Sequence, residues 1–285
     1  MIIANLLINN VETLGLIKNN LFYSFDNMNI KTKNLNELID NYSLEELNKL
    51  IKYENGIEYH NFNFLAPITI PKQDVLCLGL NYQKHCEESA RFKLEKLEER
   101  VEPVYFSKRV NYMNGPYDYI DPHFNIVDSL DYEAELAFII GKDCYNVKKN
   151  DAYDYIFGYT IMNDVSARNI QTKHKQWYLG KSLDTYTPLG PVVVTADVFD
   201  PNGVSIKSYV NGELRQDGNT SDFIFPIDFV IENLSEGMTL KKGTIVSTGT
   251  PAGVGMGYNP PKFLKSGDVV RCEIEGIGYI ENRIK

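Results

Sequence analysis

The stretch Tyr132-Glu133-Ala134-Glu135-Leu136-Ala137-Phe138-Ile139-Ile140 alternates in polarity at its start and is wholly apolar at its end. A two-residue alternation marks a strand with one polar face, and an unbroken apolar run marks a strand covered on both faces. The stretch therefore reads as a strand that runs into a core. Strands are also expected at Asp74–Leu80, Tyr159–Met162, Val192–Thr195 and Ser205–Val210. The last of these turns at Asn211-Gly212, a strong hairpin signal. A short helix is expected at Asp151–Phe157, and another from Pro226, a good first helical residue, to Ser235. The tail from Gly243 to Ile284 is punctuated by glycine and rich in strand-forming residues. The expected fold is mainly β with short helices (α+β), not alternating βαβ.

The first 70 residues read differently. A strand-like start is followed by polar segments and a helix near Leu44–Tyr53, where Ser43 and Glu46 form a capping box. Ala66-Pro67-Ile68-Thr69-Ile70-Pro71 closes this region. The division expected is a small N-terminal domain over 1–70 and a second domain over 71–285.

The chain has 285 residues, 43% hydrophobic and 24% charged, the composition of a soluble globular protein. The formal charge of −9 excludes a basic footprint for nucleic acid. No apolar run is long enough for a membrane helix, and the N-terminus lacks the basic start of a signal peptide. The four cysteines form no C-x-x-C pair, which fits a reducing, cytoplasmic setting.

On a strand, Glu133 and Glu135 point to one face, where their repulsion is costly unless a cation lies between them. They are either exposed acids or, beside this apolar run, ligands of a hard cation such as Mg²⁺, Mn²⁺ or Ca²⁺. Asp164, in Gly158-Tyr159-Thr160-Ile161-Met162-Asn163-Asp164, is the third candidate carboxylate or else a turn residue, with Asp131 in reserve. His85 and Glu88 fall three apart on a charged helical stretch from Gln83 to about Arg100. A carboxylate beside an imidazole raises its basicity and suits it to activate water, although such pairs are also ordinary surface features. Lys108 and Lys181 are candidates to bind a substrate carboxylate. The loop Ser247-Thr248-Gly249-Thr250-Pro251-Ala252-Gly253-Val254-Gly255 is neither a P-loop nor a Rossmann turn. It is an anion-binding turn or a tight structural one.

Eight motifs occur in order: LGLNYQKHCEESA, PVYFSK, DYEAELAFIIGK, FGYTIMNDVSARNIQ, GKSLDTYTPLGPVVVT, VNGELRQDGNTSDFIF, STGTPAGVG and FLKSGDVVRCEIEGIG. From about residue 71 to the end they closely resemble the fumarylacetoacetate hydrolase family. The resemblance implies a mixed β-roll, a homodimer and a divalent metal. By motif, it makes Glu133, Glu135 and Asp164 the ligands and His85–Glu88 a water-activating dyad. Lys181 joins them as a catalytic lysine, and Lys108, Arg168, Gln171 and Thr250 lie near substrate. Leu183 and Arg109 depart from the family pattern at positions that shape the pocket.

The activity expected from these residues is hydrolysis of a C–C bond in a 2,4-dioxo acid, with Mg²⁺ or Mn²⁺ and His85-activated water. The alternatives are decarboxylation of oxaloacetate, or tautomerisation or isomerisation of a 2-oxo diacid at the same site. A non-catalytic metal- or ligand-binding protein is the reading of another class. The stretch 83–100 is expected to act as a lid.

Overall fold

The computed structural model describes residues 1–94, 96 and 101–285. Mainly β, it is built on a ten-stranded sheet. Its path runs Leu21–Ser24, Val11–Lys18, Ile2–Ile8, Leu189–Thr195, Ile156–Asn163, Ala134–Ile140, Ile245–Ser247, Val75–Gly79 and Val104–Lys108. Asn63–Leu65 pairs with Ile2–Ile8 off this path. Neighbours are antiparallel except Ile245–Ser247 with Val75–Gly79. A four-stranded sheet orders Glu213–Asn219, Ser205–Val210, Val269–Ile274 and Gly278–Arg283. No helix among the described residues is long and apolar enough to cross a membrane.

Ala134–Ile140 is buried at every position, as its apolar run predicts. Ala134, Leu136, Phe138 and Ile140 join the core shared with Ile206, Val210, Val270 and Ile274 of the second sheet. Ala137 and Ile139 face the opposite core, with Phe25, Leu35, Leu38 and Ile39. The helices Leu35–Asn41 and Leu44–Leu50 help cover that face. The Ser43–Glu46 capping box forms in both directions.

The sheet runs across the boundary expected near residue 70. Ile2 and Ile3 pair with Val194 and Val193, so the first residues add strands to the sheet that carries Ala134–Ile140. Three of these N-terminal strands are joined by Asn9-Asn10 and Asn19-Asn20, with φ values of 51°, 63°, 50° and 62°. Positive φ at both central residues is what a tight hairpin turn requires, and asparagine tolerates it. The expected turn at Asn211-Gly212 uses the same geometry, with φ values of 52° and 80°.

Elsewhere the elements follow the sequence with shifted ends. The segment expected as a helix at 151–157 is a 3₁₀ turn over Lys149–Tyr155, and Pro226 caps the helix Ile227–Ser235 rather than opening it. The charged helix covers Gln83–Lys93. It ends where Leu94 takes a left-handed conformation and its N–H reaches back to the Ala90 and Arg91 carbonyls. The lid expected over 83–100 falls partly outside the described residues, at 95 and 97–100.

Candidate active site

Glu133 lies in the link between Leu130–Asp131 and Ala134–Ile140, and Asp164 immediately follows the neighbouring strand Ile156–Asn163. The Asp164 N–H donates to the Glu133 carbonyl at 2.9 Å, and the Glu133 N–H to Asn163 Oδ1 at 3.0 Å. Backbone pairing thus brings Asp164 to the pair Glu133 and Glu135. The three are buried, and one oxygen from each lies within 4.8 Å of the others.

Buried acids need compensation. Lys181 Nζ donates to Glu133 Oε2 at 2.7 Å and to Asp164 Oδ2 at 2.8 Å. Burial would lower the pKa of Lys181, but Asp164 and Glu133 outweigh it and keep the ammonium charged. Arg168 pairs with Glu133 at 2.7 Å and donates through Nε to Asp131 Oδ2 at 2.9 Å. Burial raises the Glu133 carboxyl, yet Lys181 and Arg168 more than offset this and hold it below the usual range. Glu135 lacks such an ion pair among the described contacts. Its Oε2 accepts from Ser247 Oγ at 2.5 Å and from the Gly249 N–H at 3.1 Å. Burial, with the charges of Asp164 and Glu133, pushes its carboxyl well above the ordinary value.

Lys108 is fully buried and does not line the cleft. It donates to Asp164 and to the carbonyls of Val165 and Tyr186 at 3.2 and 2.8 Å, so it holds a carboxylate of the cluster rather than reaching toward substrate. Asp131, the reserve ligand, stands outside the three-carboxylate group. It is engaged by Arg168 and by the N–H groups of Gly255 and Met256 at 2.6 and 3.0 Å.

The glycine-rich loop resolves its two readings in one device: its N–H groups bind anions, and the anions are the chain's own carboxylates. Gly249 holds Glu135, and Gly255 and Met256 hold Asp131. The Gly253 N–H faces both oxygens of Glu88, at 2.9 and 3.1 Å. Thr250, expected near substrate, lines the cleft but donates to the Ala134 carbonyl at 2.9 Å. It also accepts from Gln216 at 2.7 Å. The buried Gln216 Oε1 accepts from the Ala134 N–H as well. This side chain was not singled out in the sequence, where its only signal was its place in the motif VNGELRQDGNTSDFIF.

Facing the carboxylates, His85 is buried at the edge of the same cleft, with Nδ1 3.5 Å from Glu88 Oε2. Arg168, Gln171 and Lys181 line it too, and Gln171 Oε1 accepts from Arg168 at 3.0 Å. The structure therefore gathers His85, Glu133, Glu135, Lys181, Arg168, Gln171 and Thr250 around one narrow cleft. Asp164 stands behind it through Lys181. Trp177 and Phe106 form an apolar wall, their rings edge to face at 5.3 Å. Trp177 escaped the sequence reading, for a lone aromatic carries no positional signal.

A Cβ on Gly79 would lie 2.2 Å from the Trp177 ring. Gly79→Ala is therefore expected to displace the indole. Trp177 is the single tryptophan, so the shift should appear directly in the emission spectrum of the folded protein. An unchanged spectrum would show that the wall tolerates the methyl without moving the ring.

A divalent cation fits this donor set. Three carboxylate oxygens suit a hard ion such as Mg²⁺ or Mn²⁺. Four buried carboxylates, Asp131 included, face three buried cations, Lys108, Lys181 and Arg168. Glu135, raised by burial and by its acidic neighbours, is where added positive charge would relieve repulsion.

The comparisons agree with this geometry. Residues 74–285 match the family model for the fumarylacetoacetate hydrolase C-terminal region. The oxaloacetate tautomerase YisK of Bacillus subtilis (strain 168) is 46% identical over 220 residues, 77% of this chain and 72% of that protein. The solved structure of fumarylacetoacetate hydrolase from Exiguobacterium antarcticum superposes with a TM-score of 0.87 at 36% identity, covering 100% of this chain and 99% of that one. Maleylpyruvate hydrolase from Sphingobium sp. SYK-6, solved with manganese(II) and pyruvate, superposes at 0.79 with 26% identity, covering 100% and 98%. With the motif order, the carboxylate cluster and the whole-chain superposition all in accord, the chain belongs to the fumarylacetoacetate hydrolase family.

Proposed function

We propose that this protein is a divalent-metal-dependent tautomerase that interconverts the keto and enol forms of oxaloacetate or a closely similar 2-oxo diacid. The observation that carries this reading is the placement of a carboxylate-paired imidazole, His85, across one cleft from an all-oxygen ligand set. The 46% identity to an oxaloacetate tautomerase selects among the reactions this geometry allows. Glu133, Glu135 and Asp164 would hold Mg²⁺ or Mn²⁺, which when bound polarises the 2-oxo group as a Lewis acid. Glu88 accepts from His85 Nδ1–H, which leaves Nε2 as the basic nitrogen. Nε2 takes the C3 proton of the keto form, and the resulting imidazolium passes it to the 2-oxo oxygen to give the enol. In reverse the proton returns from the enol hydroxyl to C3 by the same nitrogen. Lys181, kept protonated by Asp164 and Glu133, supplies fixed positive charge for the anion that forms. Arg168 and Gln171 orient the substrate, and the Phe106–Trp177 wall limits water around C3.

Hydrolysis of a 2,4-dioxo acid, the activity expected from the dyad, is the second reading. The intact His85–Glu88 pair and the whole-chain likeness to a fumarylacetoacetate hydrolase favour it. The test is keto–enol conversion of oxaloacetate followed with and without Mg²⁺ or Mn²⁺, beside cleavage of acylpyruvates. Metal-dependent acceleration without acylpyruvate cleavage is the expected result; cleavage without acceleration would transfer the protein to the hydrolases. His85→Ala is expected to slow the tautomerisation by about 10²–10⁴-fold, the usual contribution of a general acid–base group. A loss below tenfold would remove His85 from the proton path.

A further inference from the structure

We infer that Gln216 is a positioning residue of the site: its side-chain amide fixes the span between the strand of Glu133 and Glu135 and the His85–Glu88 dyad across the cleft. This role rests on the proposed reading that His85 moves the substrate's proton, and it is the same for tautomerisation and for hydrolysis.

Gln216 is fully buried, the one buried residue of the strand Glu213–Asn219. A β-bulge puts it there. Ser208 pairs with Gln216 and Tyr209 with Leu214, so Arg215 is the extra residue on the bulged strand. Bulges re-aim the side chains beside them. An amide away from water is costly unless its donors and acceptor are matched. Here all are used. Oε1 accepts from the Ala134 N–H at 3.0 Å, and Nε2 donates at 2.7 Å to Thr250 Oγ1 and at 2.7 Å to the Pro251 carbonyl.

The groups that this amide joins belong to the two sides of the cleft. Ala134 separates Glu133 from Glu135, so the strand is gripped between two of the three carboxylates. Pro251 lies two residues before Gly253, whose N–H holds both oxygens of Glu88. Thr250 closes the clasp by donating to the Ala134 carbonyl at 2.9 Å. The glycine-rich loop is anchored at Gly249 by Glu135 and at Gly255 by Asp131. Gln216 pins the stretch between these anchors, and Tyr132 Oη supports it by donating to the Gly253 carbonyl at 2.9 Å. The loop also lies hard on the bulged strand: a Cβ on Gly218 would strike Pro251, and one on Gly253 would strike the Arg215 carbonyl. The imidazole thus keeps its place relative to the carboxylates through one buried amide. Glu133 and Glu135 have other supports, in Lys181, Arg168 and Ser247.

The experiment is a double-mutant cycle on the full chain with Mn²⁺. Gln216→Glu keeps the shape and the acceptor for Ala134 but lacks the paired donors; Gln216→Met keeps the length and lacks all three bonds. Each is made alone and with His85→Ala, and circular dichroism and thermal melts establish that the proteins are folded. The rates are those of oxaloacetate keto–enol conversion, or of acylpyruvate cleavage if that is the wild-type reaction. Alone, both substitutions are expected to lower kcat by at least about tenfold, with calorimetric Mn²⁺ affinity within about threefold of wild type. Added to His85→Ala, they are expected to change kcat by less than about threefold, because the group they displace is already gone. Equal losses in both backgrounds, an unchanged kcat in both variants, or a loss confined to stability or to Mn²⁺ affinity would each overturn the inference. Should Gln216→Met fail to fold, Gln216→Glu decides by the same comparison. A His85→Ala protein that loses less than about tenfold by itself would remove the dyad reading, and the role of Gln216 with it.

Discussion

Asp164→Asn is expected to abolish activity and to destabilise the protein by about 3–5 kcal/mol, the cost of leaving a buried charge without its partner. Asp164 is fully buried and pairs through one oxygen with Lys108 and through the other with Lys181. Asparagine keeps the volume but removes the charge. Lys108 then faces only neutral acceptors, the carbonyls of Val165 and Tyr186 and an amide oxygen, at a position with no exposure to water. A metal-site substitution usually spares the fold, so the joint loss is the signature of this residue. Denaturant unfolding measures the first effect, and a titration of Mg²⁺ or Mn²⁺ against keto–enol conversion measures the second. Wild-type stability in the variant would mean that Lys108 is compensated elsewhere.

Gly257→Ala is expected to lower kcat/KM by about 10²-fold while leaving the metal ligands intact, because misplacement of a reacting group by about 1 Å costs that much. A Cβ at Gly257 would stand 2.5 Å from Glu88 Cδ and 2.6 Å from its Oε1. The carboxylate cannot simply rotate away, since the Gly253 N–H holds both of its oxygens. Glu88 must move, and His85, three residues before it on the same helix, loses the group that orients it. Glu133, Glu135 and Asp164 do not touch Gly257, so calorimetric Mn²⁺ affinity should match the wild type. If affinity and rate fall together, the loop acts on the metal ligands and not through the dyad.

The parts of this site that were legible in the sequence are those whose spacing alone places them. Glu133 and Glu135 declare themselves by a two-residue period beside an apolar run, and His85 and Glu88 by helical spacing. Asp164 was readable as a strand-end acid, although its approach to Glu133 depends on pairing between two strands. Asp131 and Lys108 were named for roles at the ligand set and at the substrate, and the structure gives both to other partners. The reason is that Arg168 and the N–H groups of Gly255 and Met256 come to Asp131 from distant segments, as Asp164 comes to Lys108. Gln216 and Trp177 depend wholly on such long-range meetings. The N-terminal hairpins were legible in the same way: Asn9-Asn10 and Asn19-Asn20 carry the turn signal of Asn211-Gly212, though without a glycine to mark the left-handed position.

The strand order of the main sheet also sets a schedule for making the molecule. Ile2–Ile8 pairs locally with Val11–Lys18, so this hairpin is available as soon as it is synthesised. Its other edge is shared: Asn5, Leu6 and Leu7 take the early segment Asn63–Leu65, whereas the end at Ile2 and Ile3 belongs to Leu189–Thr195, and the pairing of Ile2 with Val194 spans 192 positions. At roughly 5–20 residues per second, that edge waits roughly 10–40 s for its partner. Val75–Gly79 waits similarly for Ile245–Ser247. An unpaired strand edge is a template for other chains. The nascent protein therefore carries open edges through most of its synthesis, and its yield in a cell depends on what shields them until the late strands arrive.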